Sequence, residues 1–266
     1  MTPSPGDRRF LIALAVMGGW YVLLIIGMLL ANMLTTSFGI VLSVLAEPAI
    51  RYALRLSLAT ATLSMLIAMT VAIPLGYLLA RVPFRGRPIV EGLIDVPLVL
   101  PPTVVGLSLL VLFESPWGRM FQTIIPVTFA VPGIVIAQVT VVTAFAVRAM
   151  HSTFAQIDPR TEQVARTLGC TRRQAFIWVV LPEARSGLLS AAILAWTRAL
   201  GEFGPILVLC GVTRFRTEVL STSVFLELNS GRLDAALAIA LVLVAVAGSV
   251  LLVLRVVVKR DHAPTS

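Results

Sequence analysis

Apolar runs long enough to cross a lipid bilayer recur six times in this chain: residues 10–31, 52–80, 93–113, 129–147, 188–210 and 235–258. A helix rises about 1.5 Å per residue, so about twenty apolar residues cover roughly 30 Å of hydrocarbon. Only 13% of the 266 residues are charged and the mean hydropathy is +0.96, whereas a soluble domain carries about a quarter charged residues. The expectation is an all-α polytopic membrane protein with six transmembrane helices. The first run follows Arg8 and Arg9 but is too long for the apolar region of a secretory signal. No small-residue cleavage site follows it, so it counts as a span.

The net charge of +8 is distributed by loop rather than gathered into a nucleic-acid patch. With the N-terminus in the cytoplasm, Arg8, Arg9, Arg81, Arg85, Arg87, Arg148, Arg160, Arg166, Arg172, Arg173, Arg185, Arg255, Lys259 and Arg260 lie inside. The outside receives Arg51, Arg55, Arg119, Arg214, Arg216 and Arg232, and Arg198 falls within a span. That asymmetry places both termini in the cytoplasm. The organisation is then a tail at 1–9, a transmembrane domain at 10–258 and a tail at 259–266. A cytoplasmic loop occupies about 148–187, and external loops lie at 32–51, 114–128 and 211–234, the last with an Asn229-Ser230-Gly231 turn signal. No nucleic-acid partner is expected, and membrane lipid is. No inverted repeat is visible, which counts against secondary-transporter folds.

The cytoplasmic loop is punctuated like folded structure. Asp158 is a helix N-cap, Pro159 suits the first helical position, Glu162 sits near the positive end of the dipole and Gly169 closes the helix. The expected helix, 159–168, carries Val164, Ala165 and Leu168 as a narrow apolar stripe. Thr171 and Gln174 match a capping box for a second helix, which runs through Phe176, Ile177, Val179 and Val180 until Leu181-Pro182 ends or kinks it. An interfacial helix and a helix docked into another protein are both open. The small Ala165 and Gly169, with no large aromatic for lipid, favour docking.

The order Gln163-Val164-Ala165-x3-Gly169-x9-Val179-x-Leu181-Pro182 resembles the EAA loop of ABC-transporter permeases from binding-protein-dependent importers, E-A-A-x3-G-x9-I-x-L-P. Gln163, Val164 and Val179 depart from the pattern, and Glu162 adjoins its first position. The resemblance implies a type I importer permease in a prokaryotic plasma membrane. It implies a homodimer, two cytosolic ABC ATPase subunits and an extracytoplasmic solute-binding protein. It makes Asp158, Pro159, Glu162, Gln163, Val164, Ala165, Arg166, Gly169, Leu181 and Pro182 the coupling element. No P-loop motif is present, so the chain is not read as an enzyme and ATP must be hydrolysed by partners.

The third span holds Pro97, Pro101 and Pro102, each lacking an amide donor. Such backbone survives at membrane depth only where protein or a wet cavity satisfies it. A kinked packing helix and a pathway lining, with Thr103 and Ser108 offering hydroxyls, both remain open. Pro74 and Gly76 mark an expected kink in the second span. The fifth span carries Arg198 and Glu202, four apart and so expected on one helix face, beside Gly201, Gly204 and Pro205. Intramembrane charge is a functional-site hypothesis, with an ion pair tying helices together as its structural counterpart. The stretches Arg198 to Gly204 and Val96 to Gly106 resemble the oxyanion branch of these permeases, nearest to molybdate and tungstate importers. The stretch from Pro205 to Cys210 departs from the familiar molybdate sequences. Sulfate or thiosulfate, or another small solute, is the alternative cargo. An ion-coupled carrier using Arg198 and Glu202 is the rival of a different class.

The remaining candidates are modest. Cys170 and Cys210 lie at opposite ends of the layout and are read as inert thiols. His151 and His262 have no second ligand by spacing, so no metal or cofactor is expected. Asp95 is expected to pair with Arg81, Arg85 or Arg87. Arg214, Phe215, Arg216 and Glu218 either meet the external binding protein or form a solvated loop.

Overall fold

A computed structural model describes the backbone of residues 5–261 and the side chains of residues 10–250 and 252. Residues 1–4 and 262–266, including His262 and the ends of both expected tails, lie outside the described residues, as do the side chains of Arg8, Arg9, Arg255, Lys259 and Arg260. The described chain is helical throughout: α1 (Pro5–Thr35), α2 (Phe38–Ala46), α3 (Pro48–Arg81), α4 (Arg87–Val99), α5 (Pro102–Glu114), α6 (Pro116–Gln122) and α7 (Val131–Gln156). There follow α8 (Pro159–Thr167), α9 (Arg172–Glu183), α10 (Arg185–Leu200), α11 (Gly204–Cys210), α12 (Leu220–Asn229) and α13 (Leu233–Asp261).

Four helices, α1, α3, α7 and α13, are each long and apolar enough to cross a membrane. The count rises to six if α4–α5, bent by 111°, and α9–α10, bent by 73°, are each one span. The third run is thus interrupted, as its prolines allowed, and the 73° bend lies at Ala184, just ahead of the fifth run. Three of the expected external loops carry helices of their own, α2, α6 and α12. Two of these start on serine caps: Ser37 Oγ accepts from the Ile40 amide and Ser115 Oγ from the Gly118 amide.

The centre is a three-helix packing of α3, α7 and α10. It is built largely from alanine, with Ala61, Ala68, Ala72, Ala146, Ala191 and Ala195 all buried around Met150 and Leu200. Small residues let helix backbones approach in a medium where hydrophobic burial supplies no drive. Gly76 belongs to this contact, since a Cβ there would stand 2.7 Å from the Met150 Cβ. The expected kink at Pro74 is not a break, because α3 continues through it to Arg81. A second cluster joins α5, α7 and α11 through Val105, Leu109, Ile134, Val141, Ile206 and Leu209. A third gathers α2, α12 and α13 on the first turn of α3 around Val44, Ile50, Leu220 and Ile239. By contrast α1 exposes its apolar side chains almost all round, Trp20 and Leu34 among them, as a helix surrounded by lipid does.

Candidate functional site

The prolines of the third run break it at one point. Leu100 and Pro101 are extended, and α5 starts afresh at Pro102, with the Val104 amide donating to the Pro101 carbonyl. Neither proline has an N–H to lose there. The fifth run also breaks, just ahead of Pro205, which has no N–H to return to the Gly201 carbonyl. Helix α10 stops at Leu200, and the chain turns through Gly201, Glu202 and Phe203 before α11 begins at Gly204. Arg198 and Glu202 therefore do not share a continuous helix as expected. They still pair, because the turn folds Glu202 back toward the last turn of α10.

The two breaks lie against each other. A Cβ on Gly204 would sit 3.0 Å from the Pro102 Cβ and 3.1 Å from the Thr103 amide. A Cβ on Gly106 would sit 2.7 Å from the Pro205 Cα. That neighbour is backbone and cannot rotate away, so Gly106→Ala is expected to lower stability by about 1–3 kcal/mol. Thermal unfolding of the purified protein checks this, and an unchanged melting temperature would mean that the breaks are not in contact there.

Glu202 is 1% exposed, while the Arg198 side chain is 30% exposed. The pair is a charge contact, in which Oε2 of Glu202 faces the guanidinium without a well-aligned hydrogen bond. The guanidinium also lies 5.4 Å from the centroid of the Phe145 ring, a cation–π distance. Two polar residues that sequence reasoning passed over hold the turn. Gln138 Nε2 donates to the Ala199 carbonyl at 3.0 Å and its Oε1 accepts from Ser64 Oγ at 2.9 Å. Ser221 Oγ donates to the Glu202 carbonyl at 2.7 Å. The signal for Gln138 was a single amide in the apolar run 129–147, where a buried polar group needs partners. Pro101, Pro102 and Thr103 are exposed on the α4–α5 elbow, and no side chain of α4 is buried. The arrangement presents a partly exposed cation, backed by a buried anion, where two interrupted helices meet.

The loop residues form a second constellation. Asp158 Oδ1 caps α8 by accepting from the Arg160 amide at 2.9 Å, and Gly169 closes it with φ +97°. The Cys170 amide returns to the Ala165 carbonyl. Glu162, not Gln163, is the acid turned inward. Its Oε1 accepts from the Tyr77 hydroxyl at 2.7 Å and lies 3.9 Å from Arg172. The Tyr77 ring packs on Phe176 and Phe154, with centroids 4.6 and 5.7 Å away. Tyr77 thus joins α8 to the far end of α3, a contact no sequence spacing announces. The expected apolar stripe splits: Ala165 is buried in the chain's own fold, whereas Val164 is 56% and Leu168 81% exposed. Gln163 and Arg166 are exposed beside them. Leu181-Pro182 falls in the last turn of α9, just before the 73° bend to α10. A π-helical turn over Phe176–Val180 accommodates the proline, opening the ladder where its ring would otherwise meet the i−4 carbonyl. The helix ends at Glu183.

Asp95 does not pair with Arg81, Arg85 or Arg87. Arg148 Nε donates to its Oδ1 at 2.7 Å and Nη2 to its Oδ2. The reason is that α7 continues past residue 147 to Gln156 and brings Arg148 alongside α4. Arg87 instead meets Glu91 at 2.8 Å, and Arg81 donates to the Ile157 carbonyl at 2.6 Å.

At the opposite end of the bundle, Arg214 bonds Glu227 at 2.5 Å. Arg232 reaches both Glu227, at 3.1 Å, and Glu47, at 2.5 Å. Glu218 is wholly buried and accepts from Ser223 Oγ; burial pushes its carboxyl above the usual carboxylate range. Glu218 is thus built into the fold and Arg214 is tied to it by its bond to buried Glu227, while Arg214, Phe215 and Arg216 are all exposed. Cys210 is buried among apolar side chains and Cys170 half-buried, both as free thiols. Among the described residues no group of three or more His, Cys, Asp or Glu side chains is placed to hold a metal ion.

Residues 72–261 match the family described as binding-protein-dependent transport system inner membrane component. A molybdate/tungstate transport system permease protein of Thermococcus kodakarensis is 37% identical over 219 residues, 82% of this chain and 83% of that protein. A sulfate transport system permease protein of Escherichia coli is 34% identical over 207 residues, 76% of this chain and 74% of that protein. Among solved structures, a chain of a bacterial ABC transporter involved in the import of the acidic polysaccharide alginate superposes with a TM-score of 0.76 at 20% identity. The match covers 97% of this chain and 98% of that one, a likeness of fold.

Proposed function

The chain belongs to the binding-protein-dependent transport system inner membrane component family and is an ABC-importer permease, and from this premise we propose that it forms the translocation pathway for an oxyanion, molybdate or tungstate. It spans the membrane six times with both termini in the cytoplasm, counting α4–α5 and α9–α10 as broken spans. It works as a homodimer with two cytosolic ATPase subunits and an extracytoplasmic solute-binding protein. The observation that carries this reading is the meeting of the two helix breaks, with Arg198 and Glu202 at the crossing. A dianion moving through a low-dielectric pathway needs positive field without a tight ligand, because charge interactions strengthen as the dielectric falls. Arg198 supplies the field, and buried Glu202 limits how firmly any anion is held. Pro101, Pro102 and Thr103 present the elbow to the pathway, and Gly201 and Gly204 let the two breaks move against each other.

Power enters through α8. Asp158, Pro159 and Gly169 fix its ends, and Gln163, Val164, Arg166 and Leu168 face outward to the ATPase. Glu162 and Ala165 hold it to the membrane helices, and Leu181 and Pro182 carry the second loop helix back to α10. An ion-coupled carrier built on Arg198 and Glu202 has no place in this family.

The cargo is tested by uptake into proteoliposomes containing the assembled transporter. Labelled molybdate uptake is expected to need ATP inside and to be suppressed by tungstate far more than by equal sulfate. Equal suppression by sulfate would transfer the assignment to a sulfate importer, whose permeases are also similar in sequence.

A further inference from the structure

Between the Arg81 end of α3 and the start of α9 lies a pocket of about 480 Å³, walled by Pro74, Leu78, Val82 and Phe176, with Arg172 and Arg173 at its mouth. Pro74, Leu78 and Val82 are four residues apart, so they line one face of α3 for about 12 Å. Leu78 is 45% exposed on that face. We read the mouth at headgroup level because α3 ends there on Arg81, and α9, which supplies Phe176 to the pocket, carries Trp178 two residues on with 65% of it exposed. Tryptophan and arginine collect at that depth of a bilayer.

The two guanidiniums have donors to spare. Arg172 is 54% exposed and its carboxylate neighbour, Glu162, is 3.9 Å away, too far for a fork-to-fork pair. Arg173 is exposed. An apolar groove running down from paired guanidiniums matches an acyl chain below a phosphate. Arg81, at the end of the same helix, has the same sign, and Glu162 is the opposing charge.

We propose that this pocket is a binding site for an anionic phospholipid, its phosphate bridging Arg172 and Arg173 and one acyl chain lying along Leu78 and Pro74. The site abuts the Tyr77–Glu162 contact, so an occupying phosphate competes with Glu162 for Arg172.

The test is native mass spectrometry of the full-length chain released from micelles containing equal phosphatidylglycerol and phosphatidylcholine. The wild type is expected to retain phosphatidylglycerol preferentially, and the double variant Arg172→Gln with Arg173→Gln to lose that preference by about fivefold per guanidinium removed. Leu78→Trp, which fills the apolar wall without touching a charge, is expected to lose it as well. Arg85→Gln, one charge outside the pocket, is expected to keep it. Equal retention of both lipids by the wild type overturns the proposal. An equal loss in Arg85→Gln also overturns it, because the attraction would then be diffuse surface charge. Abolition of the preference by inorganic phosphate in the buffer would assign the pocket to a soluble anion and overturn the lipid.

Discussion

Arg198→Ala is expected to abolish uptake by the assembled transporter and to cost the protein about 3–5 kcal/mol of stability. The loss of uptake comes from the missing guanidinium field, and the loss of stability from Glu202, which is 1% exposed and has Arg198 as its charged partner. Removing the guanidinium strands a carboxylate among apolar side chains, and the turn at Gly201–Phe203 is held partly by that residue's contacts. The two effects are separable. Arg198→Met combined with Glu202→Gln removes both charges at similar volume, and exchanging a buried pair for neutral side chains is often close to neutral. The double variant is therefore expected to regain most of the melting temperature while uptake stays lost, because the field at the crossing is gone. Full uptake by the double variant would reduce the pair to a structural tie between α10 and the turn.

How much of this was legible in the sequence divides along physical lines. Apolar length depends on composition alone, so the runs that became α1, α3, α7 and α13 were readable. Local caps were readable too, because Asp158, Pro159, Gly169, Thr171 and Gln174 act within one turn of the residues they serve. Breaks were readable only where a residue forces them. Pro101 and Pro102 announced the 111° bend, and Pro205, with Gly201 and Gly204, marked the fifth run as able to bend, whereas the contacts from Gln138 and Ser221 that stabilise the turn at 201–203 come from other helices. Long-range pairs were not readable. Asp95 meets Arg148 across 53 residues and Tyr77 meets Glu162 across 85. The first depends on α7 running to Gln156, and the second on α8 folding back under α3. The loop residues 158–182 show the same division: their spacing was visible, but which of them face inward was set by tertiary packing. Glu162 and Ala165 turn toward the chain, and Val164 and Leu168 away from it.

That orientation yields the second large effect. Val164→Glu with Leu168→Glu changes two exposed side chains of α8 and leaves its caps and its Tyr77 contact in place, so the fold should be unaffected, as expected of surface substitutions. If α8 docks into an ATPase, both carboxylates enter an apolar contact. Two such losses of about 1.4 kcal/mol or more apiece weaken association roughly a hundredfold. Ala165→Glu differs in kind, since Ala165 is buried in the chain's own packing and its replacement damages the permease before any partner is met.

The most direct measurement is co-purification of the tagged permease with its ATPase subunits, wild type beside Val164→Glu/Leu168→Glu, with helix content and melting temperature recorded for each. Loss of the ATPase from the variant, with the permease's own fold unchanged, is the predicted result; undiminished ATPase in the variant complex would contradict the account.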